Sequence, residues 1–130
     1  MTKILIVDDD PDILELLRLE FEDDPTCRAD ITTDVAKALA LARKHPYKVI
    51  ITDWRMPVMN GTEFVSALRR QGCTSRIILY SGRELDQEIR DALDAGANYY
   101  ISRRGDPTTE FGELKEILKQ GSSPEPSTAE

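Results

Sequence analysis

The chain reads as an α/β domain built on a doubly wound, five-stranded parallel sheet. Three observations predict this. The runs Ile4–Val7, Val49–Ile51 and Ile77–Leu79 are short, wholly apolar and rich in β-branched residues, as strands covered on both faces are. Segments whose apolar residues recur at helical spacing lie between them. Strand and helix alternate five times, the pattern of successive crossovers in a parallel sheet.

Taken in order, the first strand, Ile4-Leu5-Ile6-Val7, is followed by Asp10-Pro11, an N-cap and a proline suited to the first helical position. Ile13, Leu16, Leu17 and Phe21 form the apolar stripe predicted for that first helix. Cys27, Ala29 and Ile31 alternate with polar residues, so the second strand is predicted at an edge. Asp34 caps a second helix carrying Val35, Ala38, Leu39 and Ala42. Val49–Ile51 is the third strand, and Phe64, Val65 and Leu68 mark a third helix after Gly61-Thr62. Ile77–Leu79 is the fourth strand, followed by a helix marked by Ile89, Ala92 and Leu93, with Gly96 expected one residue past its C-cap. Tyr99-Tyr100-Ile101 is a second edge strand, and Asp106-Pro107 opens a fifth helix facing inward through Phe111, Leu114, Ile117 and Leu118. The domain is therefore assigned to residues 1–120. The remaining GSSPEPSTAE, residues 121–130, has no large apolar residue and is expected to be disordered, as a frayed terminus or as the start of a linker.

Composition narrows the function. With 130 residues and 40% hydrophobic content the chain suits one domain with one sheet-centred core. A net charge of −7 argues against nucleic-acid binding, because a phosphate backbone would repel it. No apolar stretch is long enough to cross a membrane, and Met1-Thr2-Lys3 leads into a strand without a secretory signal. Cys27 and Cys73 are far apart and His45 stands alone, which fits reduced thiols in a cytoplasmic protein rather than a zinc site.

Right-handed crossovers with the most apolar strands inside favour the sheet order 2-1-3-4-5, the flavodoxin-like arrangement. Ligands in such sheets bind beyond the carboxyl ends of strands 1 and 3. Here strand 1 runs into Asp8-Asp9 and strand 3 into Asp53, so carboxylates distant in sequence are expected to meet. Their mutual repulsion is most cheaply relieved by a cation. Oxygen ligands without thiolate or imidazole point to Mg²⁺ or a similar divalent ion. Such an ion beside a carboxylate suits phosphoryl transfer, with the carboxylate as nucleophile. Ser81-Gly82 and Arg103-Arg104 add a hydroxyl and fixed positive charge at the same edge.

Two other metal or phosphate motifs are tested and fail. Asp8, Asp10 and Asp12 have the spacing that opens an EF-hand loop, but Ile13 and Leu19 occupy its glycine and glutamate positions. Asp8-x-Asp10 also occurs in haloacid-dehalogenase-type phosphatases, but Asp12 replaces their threonine and the chain is too short for a cap domain.

LIVDDDP (Leu5–Pro11), TDWRMPVMNG (Thr52–Gly61), Ser81-Gly82 and GANYYISR (Gly96–Arg103) together resemble the receiver domain of two-component response regulators over roughly residues 3 to 120. The resemblance implies that Asp53 accepts a phosphoryl group from the phosphohistidine of a sensor histidine kinase or phosphotransfer protein. It implies Mg²⁺ held by Asp8, Asp9, Asp53 and the Arg55 backbone carbonyl, Ser81 bonding the phosphoryl oxygen, and Tyr100 as the aromatic switch. The face made by helix 4, strand 5 and helix 5 would then change its affinity for a downstream protein. No turnover of an outside substrate is expected.

The family usually carries Lys-Pro after strand 5, where this chain has Arg103-Arg104. Arginine keeps the charge but is planar and forked, and without the proline a trans Arg103–Arg104 bond is predicted. Arg55 and Arg83 occupy variable positions lining the family's pocket, where they are expected to contact the phosphoryl group or screen attacking water. Trp54 is placed to report on Asp53. Two alternatives stand beside the switch: a pseudo-receiver that no longer uses phosphate, and a small Mg²⁺-dependent phosphatase.

Overall fold

In the computed structural model, which describes residues 1–82 and 84–120, strands and helices alternate in the order β1 (Thr2–Val7), α1 (Pro11–Glu22), β2 (Cys27–Thr32), α2 (Val35–Lys44), β3 (Val49–Thr52), α3 (Gly61–Arg70), β4 (Arg76–Ser81), α4 (Asp86–Ala95), β5 (Tyr99–Ser102) and α5 (Pro107–Lys119). The five strands pair in parallel in the order β2-β1-β3-β4-β5. This is the flavodoxin-like order expected from the sequence, with Cys27–Thr32 and Tyr99–Ser102 at the two edges. The tail 121–130 and Arg83 lie outside the described residues.

Alternation along the central strands divides the core in two. Ile4 and Ile6 of β1, with Val49, Ile51, Ile78, Tyr80 and Ile101, meet Leu14, Leu17 and Phe21 of α1 and Leu114 and Ile117 of α5. Leu5, Val7, Ile50 and Ile77 face the other way, onto Val35 and Ala38 of α2 and Phe64, Val65 and Leu68 of α3. Helix α4 packs beside α3 and buries only Ala92.

Side-chain caps account for the starts of α1, α2 and α3, whereas Asp106 makes no side-chain cap bond at α5. Asp34 accepts from the N–H groups of Ala36 and Lys37, and Asp10 accepts from Asp12 with Pro11 at the first position. Asn60 and Glu63 exchange side-chain and backbone hydrogen bonds in a capping box at α3.

The inward stripe of α1 differs from the expected one. Leu14 is buried, whereas Leu16 is 53% exposed. Pro11 and the Asp10 cap fix the phase of the helix, and Leu14, Leu17 and Phe21 then share the inner face at i, i+3 and i+7. Leu93 of α4 is likewise 37% exposed. Gly96 is itself the C-cap of α4, with φ 129°, rather than the residue beyond it. The Arg103–Arg104 peptide is trans, as expected.

Candidate functional site

Register brings the acidic residues together. Val7 of β1 lies beside Thr52 of β3, so Asp8 and Asp53 leave the sheet side by side. The Asp53 N–H donates to the Val7 carbonyl at 3.1 Å. Asp8 and Asp53 are buried and Asp9 is exposed, and one carboxylate oxygen from each lies within 4.8 Å of the others. That spacing and the all-oxygen donor set fit a hard divalent ion such as Mg²⁺.

On the other side of Asp53, β4 ends at Ser81, whose Oγ–H donates to Asp53 Oδ1 at 2.5 Å. The Trp54 N–H donates to the same oxygen at 2.8 Å. The Tyr100 hydroxyl donates to the Ser81 carbonyl at 3.3 Å, which links the edge strand to the hydroxyl that touches Asp53. Gly61 closes the loop after β3, donating its N–H to the Trp54 carbonyl at 2.7 Å. A Cβ at this position would lie 2.8 Å from Trp54 Cα. At Gly82, a Cβ would meet the Arg103 carbonyl at 2.9 Å, so the approach of β4 to the segment after β5 requires glycine there.

Arg103, which stands where the family usually has lysine, reaches the cluster through Asp8. Its Nη2 donates to Asp8 Oδ2 at 2.8 Å and to the Tyr80 carbonyl at 2.8 Å, and the guanidinium lies 4.4 Å from the centre of the Tyr80 ring. Its ion pair is thus with Asp8 rather than with Asp53. The second Asp8 oxygen accepts the Asp10 N–H at 2.9 Å.

These surroundings set the protonation. Burial, then the charge of Asp53, push the Asp8 carboxyl up to about 6, against the pull of the Asp10 N–H and Arg103. Burial also raises Asp53, against the Ser81 hydroxyl, Arg103 and the Trp54 N–H. Both carboxylates are therefore harder to ionise than free ones, and a bound cation would oppose that rise.

An open pocket of about 270 Å³ beside Asp53 is lined by Arg55, Ser81, Gly82, Glu84 and Arg103. Arg55 reaches across it to Glu84 at 3.7 Å and Glu88 at 3.6 Å. The part expected of Arg83 lies outside the described residues. Three participants escaped the sequence reading. Glu84, whose side chain is 1% exposed, sat in a polar loop with no pattern to mark it. Tyr80 was absorbed by the end of an apolar run. Glu110 sat in the first turn of a helix, where an acid ordinarily serves the helix dipole.

The sequence model of the family described as the response regulator receiver domain matches residues 4–115. The chain is 33% identical over 120 residues to the nitrate/nitrite response regulator protein NarP of Escherichia coli, covering 92% of this chain and 54% of NarP. It thus spans about half of that relative's length. Among solved structures, the chemotaxis protein CheY4 of Vibrio cholerae superposes with a TM-score of 0.80 at 30% identity, covering 91% of this chain and 99% of that one. The response regulator TrrA of Thermotoga maritima, solved in complex with Mg²⁺ and a beryllium fluoride, gives a TM-score of 0.76 at 30% identity, covering 92% and 97%. Sheet order, clustered aspartates and matched sequence agree on one assignment: the chain belongs to the receiver domain family of two-component response regulators.

Proposed function

We propose that Asp53 is the phosphoacceptor of this receiver domain. The observation that carries the reading is the meeting of Asp8, Asp9 and Asp53 within 4.8 Å, with the Ser81 hydroxyl already on Asp53. A carboxylate oxygen of Asp53 attacks phosphorus, an O–P bond forms, and the P–N bond to the donor imidazole breaks. The imidazole nitrogen leaves with the bond's electron pair and takes up a proton. Asp8, Asp9, Asp53 and the Arg55 backbone carbonyl would hold Mg²⁺, which would neutralise charge on the moving group.

The chain's own residues do the rest. The Trp54 N–H and Ser81 hydroxyl fix the orientation of Asp53. Ser81 then turns to a phosphoryl oxygen, and Tyr100, bonded to the Ser81 carbonyl, follows the change in β4. Arg103 supplies fixed positive charge from the Asp8 side. The altered face is that of α4, β5 and α5, and the output passes by protein contact rather than by direct binding of nucleic acid. The donor is a sensor histidine kinase or phosphotransfer protein, and no external substrate is turned over. Residues 1–120 form the switch unit.

The test is Trp54 fluorescence during titration with Mg²⁺ and then beryllofluoride, beside phosphoryl labelling from acetyl phosphate. A saturable change in both steps is expected, and Asp53→Asn should abolish labelling entirely. A Mg²⁺ response with no beryllofluoride response in the wild-type protein would make the domain a pseudo-receiver.

A further inference from the structure

Arg103 is held on two sides by one residue. The Tyr80 carbonyl accepts its Nη2 at 2.8 Å, and the Tyr80 ring lies under the guanidinium at 4.4 Å. Tyr80 is 1% exposed, so the ring has no room to swing. Its far end is fixed as well: the phenol donates to Glu110 Oε1 at 2.6 Å, and Glu110 Oε2 accepts the Arg104 N–H at 2.5 Å. The ring, the start of α5 and the residue after Arg103 are thereby tied together.

The geometry points to Tyr80 as a positioning residue for the phosphoryl-transfer site: it parks the Arg103 guanidinium on Asp8 as a tethered counter-cation that competes with the divalent ion. This deepens the phosphoacceptor reading above and rests on it. Both Asp8 oxygens already accept N–H donors, from Asp10 and Arg103. A fixed positive charge at this distance opposes entry of a doubly charged ion. Only a planar guanidinium stacks on a ring face while its edge bridges a carboxylate and a carbonyl, so a lysine has no equivalent resting place. The parking is also incomplete, because among the described residues the buried Arg103 Nε has no hydrogen-bond partner. That orphan donor makes the parked position shallow and lets Arg103 yield to a stronger cation at Asp8.

The inference is tested by Mg²⁺ titration of the metal-free protein, following Trp54 fluorescence and, independently, heat of binding. Arg103→Gln should tighten Mg²⁺ binding about 5- to 20-fold, since one opposing charge is removed. Tyr80→Leu should tighten it about threefold or more by unparking the guanidinium, whereas Tyr80→Phe, which keeps the ring, should bind as wild type. In the Arg103→Gln background, Tyr80→Leu should have no further effect, because the residue through which it acts is gone. An equal shift in both backgrounds assigns Tyr80 a merely structural role and overturns the inference, as does a Tyr80→Leu affinity equal to wild type. Arg103→Lys tests it without opening the core: its affinity should move toward that of Arg103→Gln, and a wild-type value overturns it. A wild-type protein that ignores Mg²⁺ would instead remove the phosphoacceptor reading, whereas a responsive wild type with an unaffected Tyr80→Leu removes only the parking.

Discussion

Asp8 and Glu110 are both buried carboxylates, 2% and 5% exposed, yet their surroundings drive them in opposite directions. Asp8, at the rim of β1 and β3, is pushed up to about 6 by burial and by the neighbouring charge of Asp53. Glu110, at the start of α5, is also pushed up by burial. The Tyr80 hydroxyl and the N–H groups of Arg104, Asp106 and Gly105 outweigh that and hold it below its ordinary value. The difference is in the company each keeps. Asp8 shares its site with Asp9 and Asp53 and is paired with Arg103, whereas Glu110 collects hydrogen-bond donors. The rim is left electrostatically unfinished, as a site awaiting a ligand is, and the α5 corner is complete without one.

The corner should therefore be the costlier of the two to disturb. Glu110→Ala strands the buried Tyr80 hydroxyl and the Arg104 N–H, and should destabilise the domain by about 2–4 kcal/mol in urea unfolding at neutral pH. Because the Glu110 pKa is depressed on folding, its contribution is present above the ordinary carboxylate pKa and lost as pH falls through the folded value. The deficit of the variant should shrink accordingly in acid. A loss below about 0.5 kcal/mol would mean that the corner is not the satisfied network described.

The rim should respond with the opposite sign. Asp8 has a raised folded pKa, so its protonated form stabilises the fold. That stability is fully present below the unfolded pKa and is lost as pH rises through about 6. Asp8→Asn, in metal-free buffer, should stabilise the domain by about 1–3 kcal/mol at pH 7, a gain that fades toward pH 4. Saturating Mg²⁺ should stabilise the wild type by mass action and the variant less. A variant less stable than wild type at pH 7 without metal would show that the Arg103 bond outweighs the repulsion from Asp53.

The two regions also differed in how far the sequence disclosed them. The rim was readable because each of its acids ends a strand of unmistakable pattern: Val7 and Thr52 are register partners, and parallel topology alone then places Asp8 beside Asp53. The corner was not, because Tyr80, Arg104 and Glu110 come from β4, from the segment after β5 and from α5, and nothing in their spacing announces a contact. The loss of Lys-Pro flagged Arg103 as a departure, but its turn toward Asp8 depends on a ring that reads as ordinary core. The same limit appears in α1, where periodicity alone does not separate Leu14 from Leu16. The cap at Asp10 sets the helix phase, and that choice is made in three dimensions.

The smallest effect expected lies beside the rim and asks whether its unfinished state includes the backbone. Val58 has φ 77° and is 93% exposed, at the centre of a three-residue turn closed by the Met59 N–H on the Pro57 carbonyl at 2.9 Å. A β-branched residue in this region is strained, and no burial compensates it. Val58→Gly removes the clash but adds freedom to the unfolded chain, so the net gain should be only about 0.5–1 kcal/mol. Stability by urea unfolding and the rate of labelling from acetyl phosphate should be measured together. A more stable variant that labels at the wild-type rate confines the tension of the rim to its charges. A more stable variant that labels more slowly would show that the strained turn helps to hold the Asp53 loop in its working shape, and the contrast with the α5 corner would then extend from electrostatics to the main chain.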